Sequence, residues 1–333
     1  MTQRVLIIGA GAIARHHAAA AATVEGLEVL AADPADAARE SFAAEHPTAQ
    51  LFADVDAMLG AAGAGGQDVA IVAVPPWLHA PMAVRAFEAG YHVLCEKPVG
   101  RTLSEVEIIL EAAARVGRLL GDCAIRFNNQ PAAARVREML GRQALGALGL
   151  ARMIHRIQRV RPGLEYQLRS RWFLSRERAG GGLAMDWSVY DLAMLFDVLA
   201  PVAVTVDRSV TRRVAGRDDP PDVPVEVESH VVAMMTLDLG EGTLLPLLYE
   251  RGNGVNGPAL SELSIEGTQG GVSWRGLPPY EDDRTEVTRY VDTGGAVAAE
   301  VERIPMGGSS AFPSPAAAGV SGPDRRAAVR RAR

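Results

Sequence analysis

The sequence predicts two domains: an α/β domain built on a doubly wound parallel sheet, followed by an α+β domain with a large, mostly antiparallel sheet. Three observations carry this expectation. The first 125 residues alternate short apolar runs with alanine-rich helical stretches, the pattern then changes to successive strand-like runs with few helices, and 333 residues exceed what one core usually organises. In the first part the strand-like runs are Val5–Ile8, Glu28–Ala32, Val69–Val74, His92–Cys95 and Leu119–Cys123, mostly bounded by Gly, Asp or Pro. Between them lie Ala12–Thr23, Ala35–Glu45, Leu78–Ala89 and Leu103–Val116, each long enough for three helical turns. Alternation of this kind gives a parallel sheet covered on both faces.

In the second part Pro131–Leu140 reads as a helix closing at Gly141, Leu148–Gln158 as a strand, and Asp186–Leu199 as a helix preceded by Gly180, Gly181 and Gly182. Strand-like runs follow at Val202–Val210, Val225–Leu239, Thr243–Tyr249, Ser261–Glu266 and Gly271–Trp274, with a solvated loop over Gly216–Pro224. The expected partition is 1–125, 126–306, and a disordered arginine-rich tail over 307–333.

Composition narrows the function classes. With 48% hydrophobic and 22% charged residues the chain is globular, and two cysteines, Cys95 and Cys123, cannot form a disulfide framework. Reduced thiols fit a cytoplasmic protein. The net charge of −6 argues against nucleic-acid binding, and no apolar stretch is long enough to span a bilayer as a helix. Among 34 basic residues a single lysine occurs, Lys97.

Gly9-Ala10-Gly11-Ala12-Ile13-Ala14 follows a strand and opens a helix, as in the dinucleotide-binding turn of a Rossmann fold. Gly9 allows the tight turn, Gly11 lets backbone amides approach a pyrophosphate, Ala14 permits close helix–strand packing, and the amides of Ala12 and Ile13 face the phosphates. Asp33 ends the second strand, where a carboxylate accepts hydrogen bonds from the adenosine ribose and repels a 2′-phosphate, so the expected cofactor is NAD. Capping of the next helix is the rival role for Asp33. Pro75-Pro76-Trp77-Leu78-His79 and Glu96-Lys97-Pro98 follow later strands, which places Pro75, His79, Glu96 and Lys97 beside the nicotinamide half. His79 has helix capping as its alternative. No His, Cys and carboxylate cluster has metal spacing, and His16 and His17 read as helix-surface residues.

These segments, with AVPPWLHAPMAVRAFEAGYHVLCEKPV and the later GGGLAMDWSVYDL, resemble the Gfo/Idh/MocA family over residues 5–200. The resemblance implies a Rossmann domain with an open-sheet substrate domain, and hydride transfer between nicotinamide and a sugar or polyol carbon. It implies that Lys97 contacts the reacting oxygen, and that the chain pairs through its open sheet as a homodimer or homotetramer. The family's G-G-G-x-x-x-D-x-x-x-H-x-x-D pattern reads here as the three glycines, Asp186, Tyr190 in place of histidine, and Ala193 in place of the last aspartate.

A phenol is a weak base unless a cation stabilises the phenolate, which Lys97 would supply, so Lys97 and Tyr190 are expected to share proton transfer. Asp186, a helical turn before Tyr190, would orient substrate or lysine, with helix capping as its rival role. Arg126 and Asn129 are expected to line the substrate pocket, and Trp172 to pack at its entrance. His155 and His230 read as structural. The acidic body suits an amino sugar, and the chain also resembles the dehydrogenase step of gentamicin- and kanamycin-type aminoglycoside biosynthesis. A non-catalytic dinucleotide-binding sensor of the same fold is the alternative, favoured by Tyr190 and Ala193 and opposed by the retained Glu-Lys-Pro.

Overall fold

The computed structural model describes residues 3–63, 68–157, 170–213, 222–275 and 284–306. The expected tail over 307–333 and most of the loop expected over 216–224 lie outside the described residues.

The N-terminal part contains β1 (Gln3–Ile8), α1 (Ala12–Ala21), β2 (Leu27–Ala32), α2 (Asp36–Glu45), β3 (Gln50–Phe52), α3 (Val55–Ala62), β4 (Val69–Val72), α4 (His79–Glu88), β5 (His92–Cys95), α5 (Leu103–Val116) and β6 (Leu120–Asp122). The strands form one parallel sheet in the order β3-β2-β1-β4-β5-β6, the doubly wound arrangement that the alternation predicts. Its two faces bury separate cores. Leu6, Ile8, Val72, Phe87 and Ile109 pack on one side, and Ile7, Ala14, Ala31 and Phe42 on the other. Adjacent residues of β1 thus serve opposite cores, which is why such strands read as continuous apolar runs rather than alternating ones. The three-residue β3 and the helix α3 lie in a stretch where no strand or helix stood out from the sequence; β3 is too short to show a period.

The C-terminal part contains α6 (Pro131–Gly141), β7 (Leu148–Ile157), α7 (Arg176–Ala179), α8 (Leu183–Asp186), α9 (Ser188–Leu199) and β8 (Ala203–Arg212). It continues with β9 (His230–Asp238), β10 (Leu244–Asn253), β11 (Leu260–Gly267), β12 (Gly270–Trp274), β13 (Arg284–Asp292) and β14 (Val297–Pro305). These strands form a second sheet in the order β14-β13-β12-β11-β7-β10-β9-β8. It is antiparallel except where β7 and β10 run parallel at its centre, Tyr249 opposite Met153. Helices α6 and α9 cover one face, burying Val136, Met194, Leu195, Leu245, Leu247 and Tyr249. The opposite face is open: Val210, Met234 and Leu244 are each more than half exposed.

Two sequence expectations change in detail. The helix expected over 186–199 is broken at Trp187 (φ −120°, ψ −33°), so Asp186 ends one short helix and Tyr190 lies in the next. The strand expected from Val225 begins only at His230, because residues 226–228 are drawn away from the sheet: Glu226 N donates to Leu174 O (2.9 Å) and Glu228 O accepts from Leu183 N (3.1 Å). Among the described residues no helix is long and apolar enough to cross a membrane.

Candidate active site

Strand order reverses between β1 and β4, and the turn after β1 occupies that crevice. Gly9 has φ +105°, and a Cβ there would stand 2.7 Å from Ala73 O, so only glycine allows the turn to lie against the end of β4. A Cβ on Gly11 would meet nothing within 4 Å, leaving the amides of Ala12 and Ile13 at the start of α1 open to an approaching phosphate. Ala14 is fully buried against the sheet.

Asp33 accepts from Ala10 N through Oδ2 and from Ala35 N through Oδ1, both at 2.9 Å. It braces the glycine-rich turn and does not cap α2, whose N-cap residue is Ala35. Each carboxylate oxygen keeps a further lone pair for a ribose hydroxyl. The residues present therefore fit the adenosine and pyrophosphate of a dinucleotide. Arg39, six residues on, donates to Asp33 O at 2.5 Å and pairs with Asp36, a cation near the ribose end that sequence adjacency did not reveal.

The chemistry-bearing side chains converge from both parts of the chain. Lys97, after β5, donates through Nζ to Asp186 O at 2.9 Å and forms an ion pair with the Asp186 carboxylate. Burial opposes its charge, but Asp186, with Tyr190 and Glu96, outweighs that cost and holds the ammonium above the ordinary lysine value. Tyr190 is buried, with Lys97 Nζ 5.1 Å and the Arg126 guanidinium 5.6 Å from its ring centroid. Burial drives its phenol upward despite these two cations, so Tyr190 keeps its proton at neutral pH.

Glu96 is buried and accepts from His17 Nε2 at 2.9 Å, from Arg126 at 3.4 Å and from Lys97 N at 3.1 Å. Burial alone would raise its pKa; the His17 hydrogen bond and the nearby charges of Arg126 and Lys97 bring it below the usual carboxylate range. His17 therefore departs from the surface role expected of it. It flanks the buried stripe Ala14, Ala18 and Ala21 of α1 and turns toward Glu96, whereas His16 is exposed. Cys123 brings a thiol to the same place, within 4.8 Å of the His17 and Glu96 donor atoms. The fold thus brings together a His, Cys and carboxylate group that spacing in the sequence did not reveal, although Arg126 and Lys97 also face the Glu96 charge.

His79 is buried inside the fold, its Nδ1 2.7 Å from Pro98 O and its Nε2 2.8 Å from Val74 O. It ties the segments after β4 and β5 together from beneath. Burial lowers its pKa against the pull of the two carbonyls. Trp172 meets Trp77 of the Pro75–Leu78 segment edge-on at 5.6 Å and stacks on Phe173, while the Arg178 guanidinium lies over Trp77. Pro75 is half-buried beside them, and Asn129 is an exposed turn residue. His155 is buried beside the Ser261 hydroxyl and His230 pairs with Glu250.

One buried cluster escaped the sequence reading. Arg251 on β10 forms a two-pronged ion pair with Asp191 on α9, at 2.5 and 2.6 Å, and Tyr249 donates to the same carboxylate at 2.7 Å. It anchors α9, and so Tyr190, to the sheet. Residues sixty apart in sequence carry no local signal of such a pairing.

A Rossmann domain whose switch-point turn fits a dinucleotide, joined to an open-sheet domain that sends an acid and a phenol to its lysine, defines the class of two-domain nicotinamide oxidoreductases. Residues 3–121 match the family model described as the oxidoreductase family with NAD-binding Rossmann fold, and residues 133–273 match the GFO/IDH/MocA C-terminal domain. The chain belongs to the Gfo/Idh/MocA family.

Among curated relatives, 1,5-anhydro-D-fructose reductase of Ensifer adhaerens is 29% identical over 68% of this chain and 66% of its own length. Inositol 2-dehydrogenase of Arthrobacter is 28% identical over 70% of this chain and 66% of its own. The chain thus spans just under two thirds of the length of these relatives. Among solved structures, levoglucosan dehydrogenase in complex with NADH and levoglucosan has a TM-score of 0.70 at 20% identity, covering 91% of this chain and 80% of that one. GenD2 from gentamicin A biosynthesis, in complex with NAD, has a TM-score of 0.65 at 22% identity, covering 81% and 71%. At these identities the likeness is one of fold.

Proposed function

We propose that the protein is an NAD-dependent oxidoreductase that interconverts a secondary hydroxyl and a ketone on a sugar or amino sugar. The observation that carries this is the Lys97–Asp186 ion pair, which sets a charged ammonium at the carboxyl end of β5 next to Tyr190. A bound nicotinamide would supply or accept the hydride. In the reducing direction Lys97 Nζ donates a hydrogen bond to the carbonyl oxygen and then gives it the proton as the alkoxide develops. Asp186 keeps the ammonium charged and aimed until that step. In the oxidising direction Lys97 must first lose its proton, so oxidation gains at high pH and reduction loses there.

Tyr190, protonated at neutral pH, contributes as a proton donor and as a wall against the substrate. Arg126, with its guanidinium 5.6 Å from the Tyr190 ring centroid, borders the same space, and the Trp77–Trp172 pair is assigned to its entrance. Asp33 favours NAD over its 2′-phosphorylated form, because a second anion would face the carboxylate.

The acidic composition and the fold shared with GenD2 favour an aminoglycoside intermediate as substrate. The open sheet face, with Val210, Met234 and Leu244 exposed, supports a homodimer or homotetramer formed across it, which sedimentation velocity of wild type and Val210→Asp would test. Free buried Cys95 and Cys123 suit the cytoplasm. The deciding experiment incubates the protein with NAD and a panel of sugars, inositols and aminoglycosides, following absorbance of the reduced nicotinamide. Turnover is expected with at least one cyclic polyol or amino sugar. NAD binding by calorimetry without turnover on any of them would favour a dinucleotide sensor.

A further inference from the structure

Helix α8 is a single turn of four residues, too short to hold itself together in water, yet its last residue bears the charge that faces Lys97. Glu228 lies beneath this turn. It is buried, its Oε1 accepts from Gly182 N at 2.9 Å and from Ala184 N at 3.1 Å, and its main-chain oxygen accepts from Leu183 N at 3.1 Å. Three successive amides at the start of α8 are therefore satisfied by one residue. The glycines before α8 are shaped to admit it. A Cβ on Gly182 would stand 2.0 Å from Glu228 O, and one on Gly181 would lie 3.4 Å from Oε1. No side chain at 182 could coexist with that approach.

We propose that Glu228 is a positioning residue for the lysine centre: by clamping the first amides of α8 it fixes Asp186, and through Asp186 it holds the Lys97 ammonium in place. Glu228 does not touch the reacting atoms. Its effect passes through the turn between Gly182 and Asp186. The kinetic consequence rests on the oxidoreductase reading above, but the positional one does not. The charged and titratable groups facing Lys97 are Asp186 from α8, Tyr190 from α9 and Glu96 after β5, the last held by His17 of α1 and by Arg126. Of these, Asp186 is the one whose position depends on Glu228.

The test uses the fact that Lys97 is the only lysine in the chain. Protein labelled with ¹⁵Nζ-lysine gives one side-chain signal, and its pH titration reports Lys97 without any need for turnover. Wild type should titrate above free lysine. Asp186→Asn, the reference, should titrate lower by about one unit or more, since burial is then less opposed. Glu228→Ala should shift in the same direction by at least half the reference shift, whereas Glu228→Gln, whose amide oxygen still accepts both N–H groups, should stay near wild type. Glu228→Asp, one methylene short of the turn, should shift as the alanine variant does and serves if that variant does not fold.

A wild-type titration in Glu228→Ala or Glu228→Asp, with only the thermal midpoint lowered, would overturn the proposal and leave Glu228 a structural residue. Equal shifts in the glutamine and alanine variants would also overturn it, because the hydrogen bonds to the turn would not be the cause. Failure of the oxidoreductase reading would appear separately, as wild-type protein that binds NAD and turns over no substrate.

Discussion

Replacing Arg251 by methionine breaks the most deeply buried ion pair among the described residues of the second domain. Arg251 and Asp191 have side-chain exposures of 3% and 0%, so neither can fall back on water when its partner is lost. In the variant the Asp191 carboxylate keeps the Tyr249 hydroxyl at 2.7 Å but loses both guanidinium contacts, and Trp187 loses the cation 5.3 Å from its ring centroid. Removing one partner of such a pair costs about 3–5 kcal/mol, because an uncompensated charge stays buried. For a unit of this size that corresponds to a fall of roughly 6–20 °C in thermal midpoint.

Urea titration followed by circular dichroism measures the change, and a double-mutant cycle gives its origin. Asp191→Leu combined with Arg251→Met removes both charges and should recover at least half of the lost stability. A loss below ~1 kcal/mol in the single variant, or no recovery in the double one, would refute the reasoning, since the carboxylate would then have found another partner or solvent.

Three further outcomes follow from the site. Lys97→Arg keeps a cation but cannot release a proton at usable pH, so turnover should fall by about 10²–10⁴-fold while calorimetry shows NAD affinity little changed. Asp33→Ala removes the acceptor for Ala10 N and Ala35 N along with the proposed ribose contact; NAD affinity should drop by about tenfold or more, and the preference for NAD over NADP should narrow in parallel titrations. His155 has its pKa lowered to about 3, first by burial and then by Arg251 and Arg275. Unfolded, it takes up a proton near pH 6.5, so its contribution to stability is complete above that pH and drains away between about 6.5 and 3, by something on the order of 5 kcal/mol in all. His155→Gln should flatten the acid limb of a denaturation midpoint plotted against pH, and an unchanged limb would show that His155 does not govern it.

The sequence by itself determined the features that arise from neighbours in the chain. Alternation of apolar runs and helical stretches gave the wound sheet, and the Gly9–Ala14 turn gave the dinucleotide crevice, because a tight turn between strand and helix makes the same demands wherever it occurs. The single lysine amid an arginine-rich chain marks position 97 by itself, since a compact amine that can release a proton is the one cation arginine does not replace. Tertiary structure decided what those residues face. The turning of His17 toward Glu96, the Arg251–Asp191 anchor and the clamp of Glu228 on α8 each join segments distant in sequence. A buried charge takes its energy from whichever group the fold brings within a few ångströms, and that distance is a property of packing rather than of residue order.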